Sequence, residues 1–306
     1  MSTRPLPELY PDFATRRITT SGAEIHVRHG GAGLPVILIH GYPQTHACWH
    51  RIAADLAREQ TVVIPDLRGY GASSVPASDA RHEVYSKRAM ALDCVEVMRA
   101  LGHERFAVVG HDRGGRVAYR LALDHPSSVT RLVTLDIVPT LSTWEDTSLK
   151  TSVGRFHWPF LAQPAPFPET VIGRDPIHFH EHLIASWTGA KNLSAISPEA
   201  LDHYRASFTD PDRIHAMCED YRAGASIDVE LDAADRAAGR KITCPLLALW
   251  GQGRENAFFS GPLDTWRRWA TDVRGRGLVS GHFLPEEAPR ETLAEIVPFL
   301  RGMTAS

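Results

Sequence analysis

An apolar run, Phe106-Ala-Val-Val109, passes directly into Gly110-His111-Asp112-Arg113-Gly114-Gly115-Arg116. No other stretch constrains the fold of this chain so tightly. A small residue two before and two after a reactive apex is the spacing of a sharp strand-to-helix turn, where the backbone comes too close to itself for larger side chains. The entering strand is continuously apolar and rich in β-branched residues, as strands covered on both faces are. Three further runs of this kind, Val36–Ile39, Thr61–Ile64 and Arg131–Leu135, flank it. Between them Trp49, Ile52, Ala53 and Leu56 recur at helical spacing, and Ala91, Val95 and Met98 repeat the pattern. Strands alternating with helices predict an α/β fold, a mostly parallel central sheet with right-handed crossovers and helices on both faces. Thr19 to Arg28 reads as an initial antiparallel hairpin arm.

The alternation stops after Pro139. From there to about Arg240 the sequence is helical and irregular, with prolines at 159, 164, 166, 168 and 176. Cys244–Trp250 restores a buried strand, Gly277–Ser280 reads as a last short one, and Leu293, Ile296 and Leu300 mark a C-terminal helix. The expected organisation is one core in two parts, 1–139 and 241–306, interrupted by a helical cap at 140–240. The 33 basic and 36 acidic side chains nearly cancel, to −3, without blocks of one sign. That argues against a nucleic-acid partner held through phosphates. No run of about 18 apolar residues predicts a membrane span. Met1 to Pro7 has no apolar stretch resembling a signal peptide. Cys48, Cys94, Cys218 and Cys244 lack paired or zinc spacing, which fits a reducing, cytoplasmic setting. His178, His180 and His182 alternate, but on a helix only the first and last share a face and no third ligand has metal spacing. These three are expected to face solvent, and neither a metal nor another cofactor is expected.

The apex residue is Asp112, where an esterase would carry serine. A carboxylate attacking an ester carbonyl would form a reactive anhydride. Attacking an sp³ carbon that bears a leaving group, it forms an alkyl ester that water can cleave. Halide displacement and epoxide opening are reactions of this type. Cleaving the ester needs a general base and an oxyanion hole. His282, in Ser280-Gly281-His282-Phe283 after the last strand, is the candidate base. Asp136, at the end of the run Arg131–Leu135, is favoured as its orienting acid over Glu255. Tyr42, in His40-Gly41-Tyr42-Pro43, is placed for its backbone N–H to join that of Arg113 as the oxyanion hole.

Arg113 and Arg116 fall in the first turn after the apex. The positive end of the helix dipole already lies there, so two more cations call for an anion. Guanidinium forks suit a carboxylate, which suggests a substrate of the form X–CH₂–COO⁻. The insertion offers His157, Trp158, Trp187, Tyr204 and Asp220-Tyr221. Imidazole, indole and phenol donors would suit a small hard halide. Each of these residues taken alone is also explained by core packing.

The set Gly110-His-Asp-Arg-Gly-Gly-Arg116, Leu135-Asp-Ile-Val-Pro139, His157-Trp158, Met217-Cys-Glu-Asp-Tyr-Arg222 and Gly281-His282 closely resembles the fluoroacetate (haloacetate) dehalogenases of the α/β-hydrolase superfamily. The likeness spans nearly the whole chain. It implies an α/β-hydrolase fold with an inserted cap. Asp112 would be the nucleophile, His282 the base and Asp136 its acid. Arg113 and Arg116 would bind the substrate carboxylate; His157, Trp158 and Tyr221 would bind the departing halide, and Trp187 would line the pocket and gate product. It further implies a small haloacid as partner and a homodimer. One rival is an epoxide hydrolase, protonating the epoxide oxygen from Tyr204 and Tyr221. A haloalkane dehalogenase is disfavoured, because its apolar halide pocket would want an aromatic residue where Arg113 stands. The last rival is a non-catalytic ligand-binding protein on the same fold.

Overall fold

The apolar runs become the middle of a single sheet. The computed structural model describes residues 5–252 and 261–302. Its strands are β1 (Ala14–Thr19), β2 (Glu24–Gly30), β3 (Leu34–Ile39), β4 (Gln60–Pro65), β5 (Phe106–His111), β6 (Val129–Leu135), β7 (Leu246–Gly251) and β8 (Val273–Leu278). Their spatial order is β1-β2-β4-β3-β5-β6-β7-β8. β2 pairs antiparallel with both β1 and β4, and every pairing from β4 to β8 is parallel. Every residue of central β5 is buried. This is the signature of a strand covered on both faces.

Helices α1 (His50–Leu56), α2 (Lys87–Ala100) and α3 (Arg113–Asp124) connect the strands up to β6. Between β6 and β7 the chain forms α4 (Thr140–Glu145), α5 (Leu149–Gly154), α6 (His157–Leu161), α7 (Phe167–Ile172), α8 (Pro176–Trp187), α9 (Pro198–Phe208), α10 (Pro211–Gly224) and α11 (Ile227–Ala237). After β7 come α12 (Pro262–Trp269), α13 (Leu284–Glu287) and α14 (Pro289–Arg301). Pro176, one of the prolines that make 140–240 look irregular, is a helix start, and so are Pro198 and Pro211. Asp175, Ser197 and Asp210 each cap a helix by accepting a backbone N–H, and a proline follows at its first position. The missing proline N–H costs nothing there, because first-turn donors have no intrahelical partner.

Two details differ from the sequence expectation. The hairpin arm begins earlier, with β1 pairing along its whole length to β2. The last strand lies at Val273–Leu278, ahead of the expected Gly277–Ser280. Val-Arg-Gly-Arg-Gly-Leu has no apolar run, but an edge strand needs only one neighbour, and β7 supplies it.

The turn after β5 has the expected crowding. A Cβ on Gly110 would stand 2.4 Å from the Gly114 carbonyl oxygen. One on Gly114 would stand 2.2 Å from the carbonyl oxygens of both Ile39 and His40. The loops after β3, β5, β6 and β8 therefore open side by side at the carboxyl ends of the strands, where ligand sites of open α/β sheets form.

Candidate active site

Asp112 sits at the apex with φ 50° and ψ −119°. Its N–H donates to the Leu135 carbonyl at 3.2 Å, tying the apex to the end of β6. The Tyr42 N–H donates to Asp112 Oδ1 at 2.9 Å. His40 explains that aim. Its Nε2 accepts the Leu67 N–H at 3.0 Å, so its proton resides on Nδ1, 3.0 Å from the Gly41 carbonyl oxygen. The Gly41 C=O and Tyr42 N–H belong to one peptide plane, so fixing the carbonyl toward His40 turns the N–H toward Asp112.

His282 Nδ1 lies 2.6 Å from Asp136 Oδ2, and the other oxygen of Asp136 accepts the Gly251 N–H at 3.0 Å. An ionised Asp136 accepts a hydrogen bond from Nδ1–H and so keeps the proton on that nitrogen, which leaves Nε2 with its lone pair. That atom stands 3.8 Å from Asp112 Oδ2, beyond direct hydrogen bonding. The main chain of His282 is held on both sides: its N–H donates to the Trp187 carbonyl at 2.9 Å, and its carbonyl lies 2.8 Å from His111 Nε2. Burial, with the neighbouring His282, pushes His111 down to about 3, so it is a neutral donor. Burial works against ionising Asp112, but the attraction of its cationic neighbours, the guanidinium groups of Arg113 and Arg116 among them, prevails and holds it below the usual carboxylate range. Asp112, Asp136 and His282 are thus brought together. Glu255, the alternative acid, lies outside the described residues.

The two arginines are buried. Arg113 is gripped along one edge by Asp220. Its Nη2 donates to Oδ1 at 2.7 Å and to the Asp220 carbonyl at 2.5 Å, and its Nε lies 3.2 Å from both carboxylate oxygens. Arg116 forms no salt bridge among the described residues. It donates from Nη1 to the Val138 carbonyl at 2.9 Å and to the Thr140 hydroxyl at 3.4 Å, and from Nη2 to the Thr143 hydroxyl at 3.3 Å. Burial and the charge of Arg113 push it down to about 10. Arg113 Nη1 and Arg116 Nε are buried without a hydrogen-bond partner among the described residues. Each guanidinium therefore keeps one nitrogen unspent among the described residues.

The expected halide donors gather over the same site. Tyr221 packs edge-on to Tyr42 at 5.1 Å and to Trp158 at 5.9 Å between ring centroids. His157 lies 4.6 Å from Trp187, which in turn stands edge-on to His282 at 5.6 Å. The Trp158 ring faces the Arg116 guanidinium at 4.4 Å, and the Tyr221 ring faces that of Arg113 at 4.1 Å. The Tyr221 hydroxyl is buried without a partner among the described residues. Burial, followed by the charge of Asp112, raises it well above the usual phenol range, which keeps its proton in place for donation.

Tyr204 does not join this group. Its hydroxyl donates to Glu286 at 3.0 Å and accepts from Gln44 at 3.1 Å. The histidine triplet needs correction as well. His178 and His182 are exposed, but His180 is buried, stacked on Phe208 at 4.6 Å and bonded to the Pro176 carbonyl. Elsewhere, His26, His46 and Asp66 bring ligand atoms within 4.8 Å of one another. The Asp66 carboxylate there takes N–H bonds from Ala72, His46 and the two imidazoles, which accounts for the cluster without an ion. The roles of Asp220, His111 and the Gly251 N–H were not anticipated. A signal existed for Asp220 alone, in its place beside Tyr221.

A model of the alpha/beta hydrolase fold matches residues 35–277. A fluoroacetate dehalogenase from Burkholderia sp is 43% identical over 293 residues, 95% of each chain. A soluble epoxide hydrolase from Corynebacterium sp. (strain C12) is 30% identical over 282 residues, covering 91% of this chain and 94% of that relative. A solved alpha/beta hydrolase structure from Nostoc sp PCC 7120 superposes with a TM-score of 0.92 at 49% identity, over 95% of this chain and 99% of that one.

Proposed function

We propose that this chain, which belongs to the alpha/beta hydrolase fold family, is a haloacetate dehalogenase that works through an ester on Asp112. One observation carries this reading: beside the apex carboxylate lie two buried arginines, each with one guanidinium nitrogen unspent. A neutral substrate has no use for them, whereas a carboxylate would take both N–H groups.

In the first step Asp112 Oδ2 attacks the α-carbon of X–CH₂–COO⁻, and the halide departs with the bonding electrons toward His157, Trp158 and Tyr221. In the second, His282 Nε2 takes a proton from water and the hydroxide attacks the Asp112 carboxyl carbon. Negative charge collects on Oδ1, where the Tyr42 N–H already points. Collapse breaks the bond to the glycolate oxygen. Glycolate keeps one proton of the water, the other passes to solvent, and Asp112 is restored as a carboxylate. Asp136 holds His282 in the required tautomer and balances its transient charge.

Helices α4–α11 serve as the cap at 140–240, closing over the carboxyl ends of the strands; they supply the halide donors. The exposed apolar side chains Leu149, Val153, Phe156, Phe167, Val171 and Ile177 on or beside its helices support a homodimer. The cysteines Cys48, Cys94, Cys218 and Cys244 are unpaired, in keeping with a cytoplasmic setting.

An epoxide hydrolase is the second reading, favoured by the unpartnered, protonated hydroxyl of Tyr221. Purified protein incubated with fluoroacetate, with chloroacetate and with a neutral aliphatic epoxide separates the two. Release of halide, lost on Arg113→Ala, is expected; diol formation without halide would overturn the assignment.

A further inference from the structure

We propose that Asp220 is a positioning residue for anion recognition: it holds Arg113 by one edge and cancels its charge, so that Arg113 serves as an aimed N–H donor while Arg116 supplies the net positive charge. The inference rests on the dehalogenase reading for the identity of the anion.

Asp220 on α10 and Arg113 on α3 are both fully buried, and they meet across the seam between the sheet and the helices that follow β6. The carboxylate also accepts from the Tyr70 hydroxyl at 2.8 Å and pairs with Lys87. Lys87 is tied in turn to Asp228, with its backbone N–H at 2.8 Å and its ammonium at 3.3 Å from the two oxygens. Lys87 with Asp228 and Arg113 with Asp220 thus form two matched pairs of charge. Arg116 has no such partner among the described residues.

The edge chemistry completes the argument. A guanidinium offers five N–H groups in a fixed plane. Asp220 occupies the Nε and Nη2 side of Arg113, and the ring of Tyr221, the next residue on the same helix, covers one face at 4.1 Å. Gly224, one turn further along α10, has no side chain to displace the guanidinium; a Cβ there would lie 2.7 Å from Nη2. Only Nη1 remains. On Arg116 only Nε remains, above the Trp158 ring. A substrate carboxylate is therefore held by one nitrogen of each arginine, Nη1 of Arg113 and Nε of Arg116, and not by the Nε–Nη2 fork of Arg113 that Asp220 occupies. A single helix turn sets both the anion grip, through Asp220, and a halide donor, Tyr221.

Acetate, a carboxylate with no leaving group, tests the grip apart from turnover. Its binding is measured by calorimetry on wild type, Asp220→Asn, Arg113→Gln, the double variant and Arg113→Lys, with chloride release from chloroacetate assayed in parallel. Asp220→Asn is expected to weaken acetate at least tenfold, to raise KM with little change in kcat, and to add nothing once Arg113 is Gln. Arg113→Lys keeps the charge but loses the aimed Nη1, so it should fall to the Arg113→Gln level even if Asp220→Asn fails to fold. Wild-type acetate affinity in Asp220→Asn or in Arg113→Lys, or additive losses in the double variant, would overturn the proposal. Absence of chloride release by wild type, with acetate binding and its variant pattern intact, would count against the dehalogenase reading alone.

Discussion

Tyr221 shows at a single side chain how environment sets a role. Its hydroxyl is buried, protonated and unpaired among the described residues, while its ring packs on Arg113. A donor of this kind is worth most to the leaving group that most needs hydrogen bonds. Tyr221→Phe should therefore slow defluorination of fluoroacetate roughly a hundredfold, on the scale of losing one oxyanion-hole donor. Chloride release from chloroacetate should fall less, and the ratio of the two rates measures the difference. Asp112, His282 and Asp136 were legible as candidates because residue type, chain order and strand ends all pointed the same way. Asp220 was not, since a carboxylate inside a helix reads as a solvated surface charge until its partner Arg113 is placed in space. His111 was hidden for the same reason: its bond to the His282 carbonyl spans 171 residues.

Among the elements, the short helix α13 follows directly on His282 and Phe283, and it buries Glu286 completely. The carboxyl group meets the Gln44 amide, the Tyr204 hydroxyl of α9 at 3.0 Å, and the nearby charges of Arg51 and Glu287. Burial pushes it up to about 8 despite these hydrogen bonds. The folded state therefore binds this proton more tightly than the unfolded chain, whose glutamate titrates near its ordinary value. The associated stability is present in acid and falls as pH rises from about 4.5 to about 8. Glu286→Gln removes this dependence, so the variant's Tm should gain steadily on wild type across that window and hold its lead above it. A constant difference from pH 5 to 9 would contradict the assignment. Element boundaries followed the strength of the local signal. Strands β3 to β7 were readable because they are apolar on both faces. β8 was misplaced because its Arg-Gly-Arg composition is tolerated only at a sheet edge. The helix starts at Pro176, Pro198 and Pro211 were announced by Asp or Ser directly ahead of proline, a signal that reading 140–240 as irregular left unused.

Across the whole molecule, a net charge of −3 conceals opposite charges buried where the sheet's helices meet those between β6 and β7. Arg120 of α3 meets Asp232 and Asp235 of α11 at 3.1 Å and 2.6 Å. Asp232 also accepts from the Tyr119 hydroxyl and the Leu141 N–H. Removing one partner leaves buried donors without acceptors, so Asp232→Ala should lower the unfolding free energy by about 3 kcal/mol in urea titrations. No count of charges could have shown these pairs, because their members lie more than a hundred residues apart in the chain. The same seam carries the candidate halide donors, and the account stands on the ester proposed to form on Asp112. Its most direct test is intact-mass spectrometry of His282→Ala after exposure to chloroacetate. The account predicts a stable gain of one carboxymethyl group, absent when Asp112 is also changed to Ala. An unmodified His282→Ala protein, from an enzyme whose wild type releases chloride, would contradict it.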